Sequence, residues 1–173
     1  MDTPWLDRPQ LSSWVRLRAV LELLPGVLDA QLRRDADLTE FEYYVLSTLS
    51  ETPGRALRMT ELSWGTNATL PRLSHVVTRL QKRGLVERFS CPEDRRTTHV
   101  RLTDDGWEKV RQAAPGHVAI VHHHVIDVLT DEQIRQLAAI SDAILARLDP
   151  SETMTATYTR YDEPPKPQTR DVK

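Results

Sequence analysis

Between residues 72 and 101 the sequence concentrates Arg72, Arg79, Lys82, Arg83, Arg88, Arg95, Arg96 and Arg101, opposed only by Glu87, Glu93 and Asp94. Eight bases against three acids make this stretch locally +5, whereas the whole chain is −2 at pH 7, so the remainder is negative by seven. A solvated charged face usually mixes its signs. A segregated positive stretch suits a row of phosphates, because each neutralised phosphate releases condensed counterions. Ser74, His75 and Thr78 stand among the bases, and such side chains meet phosphates and base edges. The chemistry on offer is recognition of a polyanion, with no bond made or broken.

Other reactive residue types carry less. His117, His122, His123 and His124 crowd GHVAIVHHHVID, but no two stand three or four apart, the spacing a helical metal pair needs. No metal is expected, and surface or interface roles are. Cys91 is the single cysteine, so an intrachain disulfide and a multi-cysteine zinc site are both excluded. Beside Arg88, Arg95 and Arg96 its thiol could be acidified and oxidisable; the bland alternative is an incidental cysteine. No nucleophile elbow, phosphate loop or HExxH motif occurs, so neither an enzyme nor a cofactor is expected.

The elements that must position the basic stretch can be read from periodicity and capping. Apolar residues recur at helical spacing from Leu11 to about Asp35, with Pro25-Gly26 predicting a kink or break. LTEFEYYVLSTLSE follows, with Thr39 and Glu42 as a capping box and Leu38 with Tyr43 as a staple. A turn at Pro53-Gly54 leads into a short segment, MTELSWG, with Thr60 as the expected cap. In TLPRLSHVVTRLQKRG, Thr69 caps, Pro71 falls in the first turn and Gly84 supplies the stop. Leu70, Leu73, Val76, Val77 and Leu80 make its inner stripe. Pro71, Arg72, Ser74, His75, Thr78, Arg79, Lys82 and Arg83 are left as candidate contacts.

Val86 and Phe89, then Val100 and Leu102, predict two strands joined by a loop from Cys91 to Arg96. A long helical stretch from Thr103 to about Leu129 carries a Pro115-Gly116 pair. A last helix opens on the Thr130–Gln133 capping box. From Asp149 few aliphatics remain, so 149–173 reads as a flexible tail, and removal of Met154–Lys173 is expected to leave dimerisation and binding largely intact. The fold class is mainly α with a small β-hairpin: a winged helix-turn-helix over 38–103, flanked by dimerisation helices over 11–35 and 104–148. On a slender hairpin, Arg95 and Arg96 could enter a narrow minor groove, with Asp94 holding a guanidinium extended.

The quoted segments RGLVER, PEDRR and VRLTDDG resemble the multiple-antibiotic-resistance-regulator (MarR) family of winged-helix repressors, over roughly residues 11–148. The resemblance implies a recognition helix over 69–83, Arg96 as the minor-groove arginine and Asp94 as its partner. It also implies a homodimer with interlocked N- and C-terminal helices. Many members release DNA on binding a small phenolic or hydrophobic acid. Trp14, Tyr43 and Tyr44 are then candidates to line an effector pocket, the alternative being ordinary core packing.

Dimerisation also has a physical argument. The apolar stripes at both ends are too long for one small winged lobe to cover. No apolar run approaches a membrane span, and MDTPWLDRPQ has no signal-peptide core. The expectation is a cytoplasmic homodimer that binds double-stranded DNA as a transcriptional repressor. Its first rival is a winged-helix module that docks on an acidic protein; a small hydrolase or transferase is remote.

Overall fold

Asp7 starts the first helix by accepting the backbone N–H of Gln10 at 2.8 Å, while the Gln10 side chain accepts from the Asp7 N–H at 2.9 Å. This reciprocal cap satisfies two otherwise orphaned donors. The computed structural model describes residues 4–91 and 94–162, the side chains at 91 and 94–96 excepted. Expectations placed on the Cys91 thiol and on the side chains of Asp94, Arg95 and Arg96 lie outside the described residues.

Helix α1 (Arg8–Ala36) runs 29 residues with Pro25 inside it and no break. Pro25 is exposed, so the carbonyl it leaves unbonded one turn back can be satisfied by water. Its buried residues, Gln31, Leu32 and Ala36, all follow the proline. There α1 packs across α5 (Asp104–Val121) and α2 (Glu40–Ser50). Gly116 permits the α1–α5 crossing, since a Cβ on it would meet Gln31 Nε2 at 2.8 Å. Pro115 likewise sits inside α5 without ending it. The last turn of that long helical stretch, His122–Ile126, is a π-helical turn.

The lobe between these helices is built in the order α2, β1 (Ala56–Arg58), α3 (Met59–Gly65), α4 (Leu70–Lys82), β2 (Val86–Cys91), β3 (Asp94–Leu102). Helix α3 begins at Met59 rather than after Thr60, because Glu61 accepts the backbone N–H of Arg58 at 3.0 Å. The sheet has three strands in the order β1-β3-β2, all antiparallel, with Leu57 opposite Val100 and Val86 opposite Leu102. Strand β3 starts at Asp94, so the connection is shorter than the expected Cys91-to-Arg96 loop.

One core unites the lobe. Val45, Leu46, Leu49, Leu62, Leu73, Val77, Leu80 and Val100 are each fully buried. The Thr103 hydroxyl ties the end of the hairpin to the end of α4, donating to the Gly84 carbonyl at 2.7 Å and accepting from the Gly106 N–H at 3.0 Å. Helix α6 (Asp131–Leu148) opens on the expected Thr130–Gln133 box, yet none of its residues is buried.

The segment expected as a mobile tail is folded over 149–162. Turns after α6 lead to a short helix, α7 (Thr155–Tyr158), packed on α3. The bonds that tie this segment down come from polar side chains, Thr157 to the Gly65 carbonyl and Arg160 to Glu51, which is why a reading by apolar content passed over it.

Candidate nucleic-acid interface

Helix α4 divides as its periodicity dictates. Leu73, Val76, Val77 and Leu80 are buried, while Pro71, Arg72, His75, Arg79 and Lys82 are exposed and Ser74 and Thr78 half-buried. Thr69 caps the helix by accepting the Arg72 N–H at 3.4 Å. Pro71 in the first turn removes a donor that would have no intrahelical partner. Gly84, at φ +73°, turns the chain out of the helix into β2.

Two of the candidate arginines have partners within the protein. Arg79 donates to the Glu42 carboxylate at 3.2 Å. Arg83 donates to the Asp37 carbonyl at 2.7 Å and its carboxylate at 3.2 Å, and stands 3.9 Å from Glu42. Glu42 is 5% exposed and also accepts the Thr39 N–H and hydroxyl at 2.9 and 3.1 Å. Burial alone would raise its pKa, but the bonds from Thr39 and Arg79 outweigh it and hold the carboxyl below its usual range. These arginines therefore fix α4 against α2, and a phosphate would have to compete with Glu42 for Arg79.

Arg72, His75 and Lys82 face outward. The Arg72 guanidinium lies 4.1 Å over the Phe41 ring, which extends it along the lobe. His75 and Lys82 have no side-chain hydrogen bond or ion pair among the described residues. Arg88 reaches from β2 to α4, donating to the Ser74 carbonyl at 2.7 Å and its hydroxyl at 3.1 Å. It thus sets the angle between the hairpin and the helix. Thr78 donates back to the Ser74 carbonyl at 2.8 Å. Arg101 lies outside this constellation, stacked 4.4 Å over Phe89 and paired with Glu87 at 3.0 Å.

A cleft of about 470 Å³ lies between α4, α3 and the sheet, lined by Arg58, Met59, Thr60, Ser74, Arg88 and Thr97, among others. Arg58, Met59, Thr60 and Thr97 were not legible as site residues. They come together only because β1 pairs with β3, and a three-residue strand carries no periodic signal.

Trp14, Tyr43 and Tyr44 occupy different surroundings. Trp14 is 49% exposed on α1. Tyr43 packs against His117 with ring centroids 4.7 Å apart and the planes tilted by 47°. Tyr44 donates to the Gly65 carbonyl at 3.0 Å, and burial raises its pKa. Burial also lowers the pKa of His117. Among the described residues no group of three His, Cys, Asp or Glu could hold a metal ion. No helix among them is long and apolar enough to cross a membrane.

This arrangement defines a winged helix-turn-helix protein whose terminal helices leave the lobe and present apolar faces. Residues 38–98 match the MarR family. Sco3205, a MarR family transcriptional regulator from Streptomyces coelicolor solved in complex with DNA, is 42% identical. That match covers 87% of this chain and 94% of the other, with a TM-score of 0.84. AbsC, another MarR family transcriptional regulator from Streptomyces coelicolor, is 36% identical over 86% of this chain and 99% of its own, with a TM-score of 0.81. The transcriptional repressor MprA of Escherichia coli (strain K12) is 29% identical over 115 residues, 66% of this chain but 65% of MprA's length. The chain belongs to the MarR family.

Proposed function

We propose that the chain is a homodimeric, sequence-specific DNA-binding transcriptional regulator acting as a repressor on a pseudo-palindromic operator. Helix α4 lies in the major groove, and the hairpin carries Arg95 and Arg96 to the minor groove beside it. The observation that supports this most is the gathering of positive charge onto α4 and the hairpin within a chain of net charge −2. The 42% identity to Sco3205, solved with DNA, points the same way.

Pro71, Arg72, His75 and Lys82 present the exposed face that would meet bases and phosphates, while Ser74, Thr78 and Arg88 set its geometry. A two-fold dimer would place its two recognition helices about 34–36 Å apart, one duplex turn. The reading extends to release by a small phenolic or hydrophobic acid. Such an effector acts only if it favours one spacing of the two lobes over the other.

A salt titration of binding to genomic fragments tests the proposal. The logarithm of the affinity should fall steeply with the logarithm of salt, with a slope of about −5 or steeper for six or more phosphates. A flat response, with binding to an acidic protein instead, would favour the protein-docking reading. Absence of binding to any duplex in dilute buffer would end the proposal.

A further inference from the structure

Beyond α6 the chain turns back on itself and ties onto the helix-turn-helix. One Asp149 carboxylate oxygen accepts the Thr153 N–H at 2.9 Å and its hydroxyl at 2.8 Å; the other accepts the Met154 N–H at 2.8 Å. These bonds close the reversal. Helix α7 then sets Thr157 against the last residue of α3, its hydroxyl donating to the Gly65 carbonyl at 3.1 Å. The same carbonyl accepts the Tyr44 hydroxyl from α2. Two residues beyond α7, Arg160 pairs with the carboxylate of Glu51, the C-cap of α2.

The strap thus runs from the end of α6 to the ends of α2 and α3, four residues ahead of α4. None of its helical residues is buried. A cleft of about 410 Å³ between strap and lobe is lined by Leu57, Trp64 and Ala156, among others. The strap's hydrogen bond from Thr157 and ion pair from Arg160 are directional, which suits setting an orientation more than adding to the core.

We infer that Thr157 and Arg160 are positioning residues, holding α3 and therefore α4 at a set angle to α6 through Gly65 and Glu51, so that docking of this strap governs operator affinity. The inference rests on the DNA-binding reading above. It reverses the expectation that Met154–Lys173 can be removed with binding intact. Binding to a rigid duplex is tighter when the recognition helix is held in advance, because less orientational freedom is lost on contact.

The test uses the full chain with Arg160→Glu, Glu51→Arg, the double exchange Glu51→Arg/Arg160→Glu, and Thr157→Val. Amide hydrogen exchange across 59–69 and 155–160 reports docking. Each single variant should speed exchange there by about ten-fold and weaken operator binding by about three- to ten-fold, with the oligomeric state unchanged. The double exchange should restore both. Direct charge effects on DNA would act oppositely in the two single charge variants, Glu51→Arg tightening and Arg160→Glu weakening. Positioning weakens both.

Unchanged exchange in every variant overturns the inference. So does faster exchange with operator affinity held within two-fold, or opposite shifts in the two charge variants. The exchange arm involves no DNA. Failure of the unaltered chain to bind any duplex, with swap-rescued protection intact, would therefore strike the functional reading and leave the strap's hold on α3 standing.

Discussion

Arg79 and Arg96 are alike in charge and are given different roles, one within the lobe and one proposed on DNA, and those roles decide what a substitution should do. Arg79 is committed to Glu42, a buried carboxylate that four donors from Thr39, Arg79 and Arg83 surround. Glu42→Gln should therefore cost about 1–3 kcal/mol of folding stability at pH 7, read by chemical denaturation. The folded-state pKa of Glu42 lies below its usual range, so this contribution is fully present above that range and is lost as pH falls through the lowered value. The gap between wild type and variant should narrow steadily as the pH is taken below the unperturbed carboxylate range. A gap that persists there would mean the network matters through shape rather than charge. Under the proposed function Arg96 contributes as a minor-groove contact. Arg96→Ala should weaken operator binding by about 1–3 kcal/mol in a salt-controlled titration and leave the denaturation midpoint unmoved. Equal affinity would remove the wing from the mechanism.

At the scale of elements, the decisive positions are those where two backbones approach. Gly106, in the first turn of α5, faces the segment between α4 and β2 so closely that a Cβ would stand 2.0 Å from the Leu85 carbonyl oxygen. Gly106→Ala must move a backbone to be accommodated. It should destabilise the lobe by about 3 kcal/mol or more, measured by thermal or urea unfolding. A loss below about 1 kcal/mol, the size of an ordinary helical substitution, would show that α5 can shift freely on the lobe. Such contacts are not visible in a sequence, whereas local ones are. The Thr39–Glu42 and Thr130–Gln133 boxes, Thr69 before Pro71, and Gly84 after α4 all lie where their chemistry places them. The break allowed for at Pro25 does not occur, and Pro115 likewise lies within a continuous helix; both residues are exposed, so water can serve the freed carbonyls. Strand β1 was missed because it exists only through β3. The polar face of α4 was legible, but the capture of Arg79 and Arg83 was not, since Glu42 and Asp37 lie some 40 residues earlier. The strap was missed for the same reason: Thr157 finds Gly65 from 92 residues away.

The whole molecule poses a question that one copy cannot answer from within. On α6, Leu137, Ile140, Ile144 and Leu148 are 44%, 58%, 39% and 74% exposed, and the first half of α1 exposes Leu11, Trp14, Val15, Val20 and Leu21 to a similar degree. Two long helices with such faces form an apolar surface of the kind that soluble monomers bury against a partner. Under the proposed homodimer, a two-fold pairing of the α1 and α6 faces would cover both surfaces at once and close. Ile140 separates the folding of one protomer from the assembly of two, since its side chain meets little of its own chain. Ile140→Glu should leave the helical circular dichroism intact while shifting sedimentation to the monomer. It should also cost operator affinity about 100-fold, because a lone lobe loses the gain from binding two linked half-sites. A variant that stays dimeric would place the contact on another face. One that becomes monomeric yet binds with full affinity would mean that a single lobe recognises its site, and the two-fold operator would have to be abandoned.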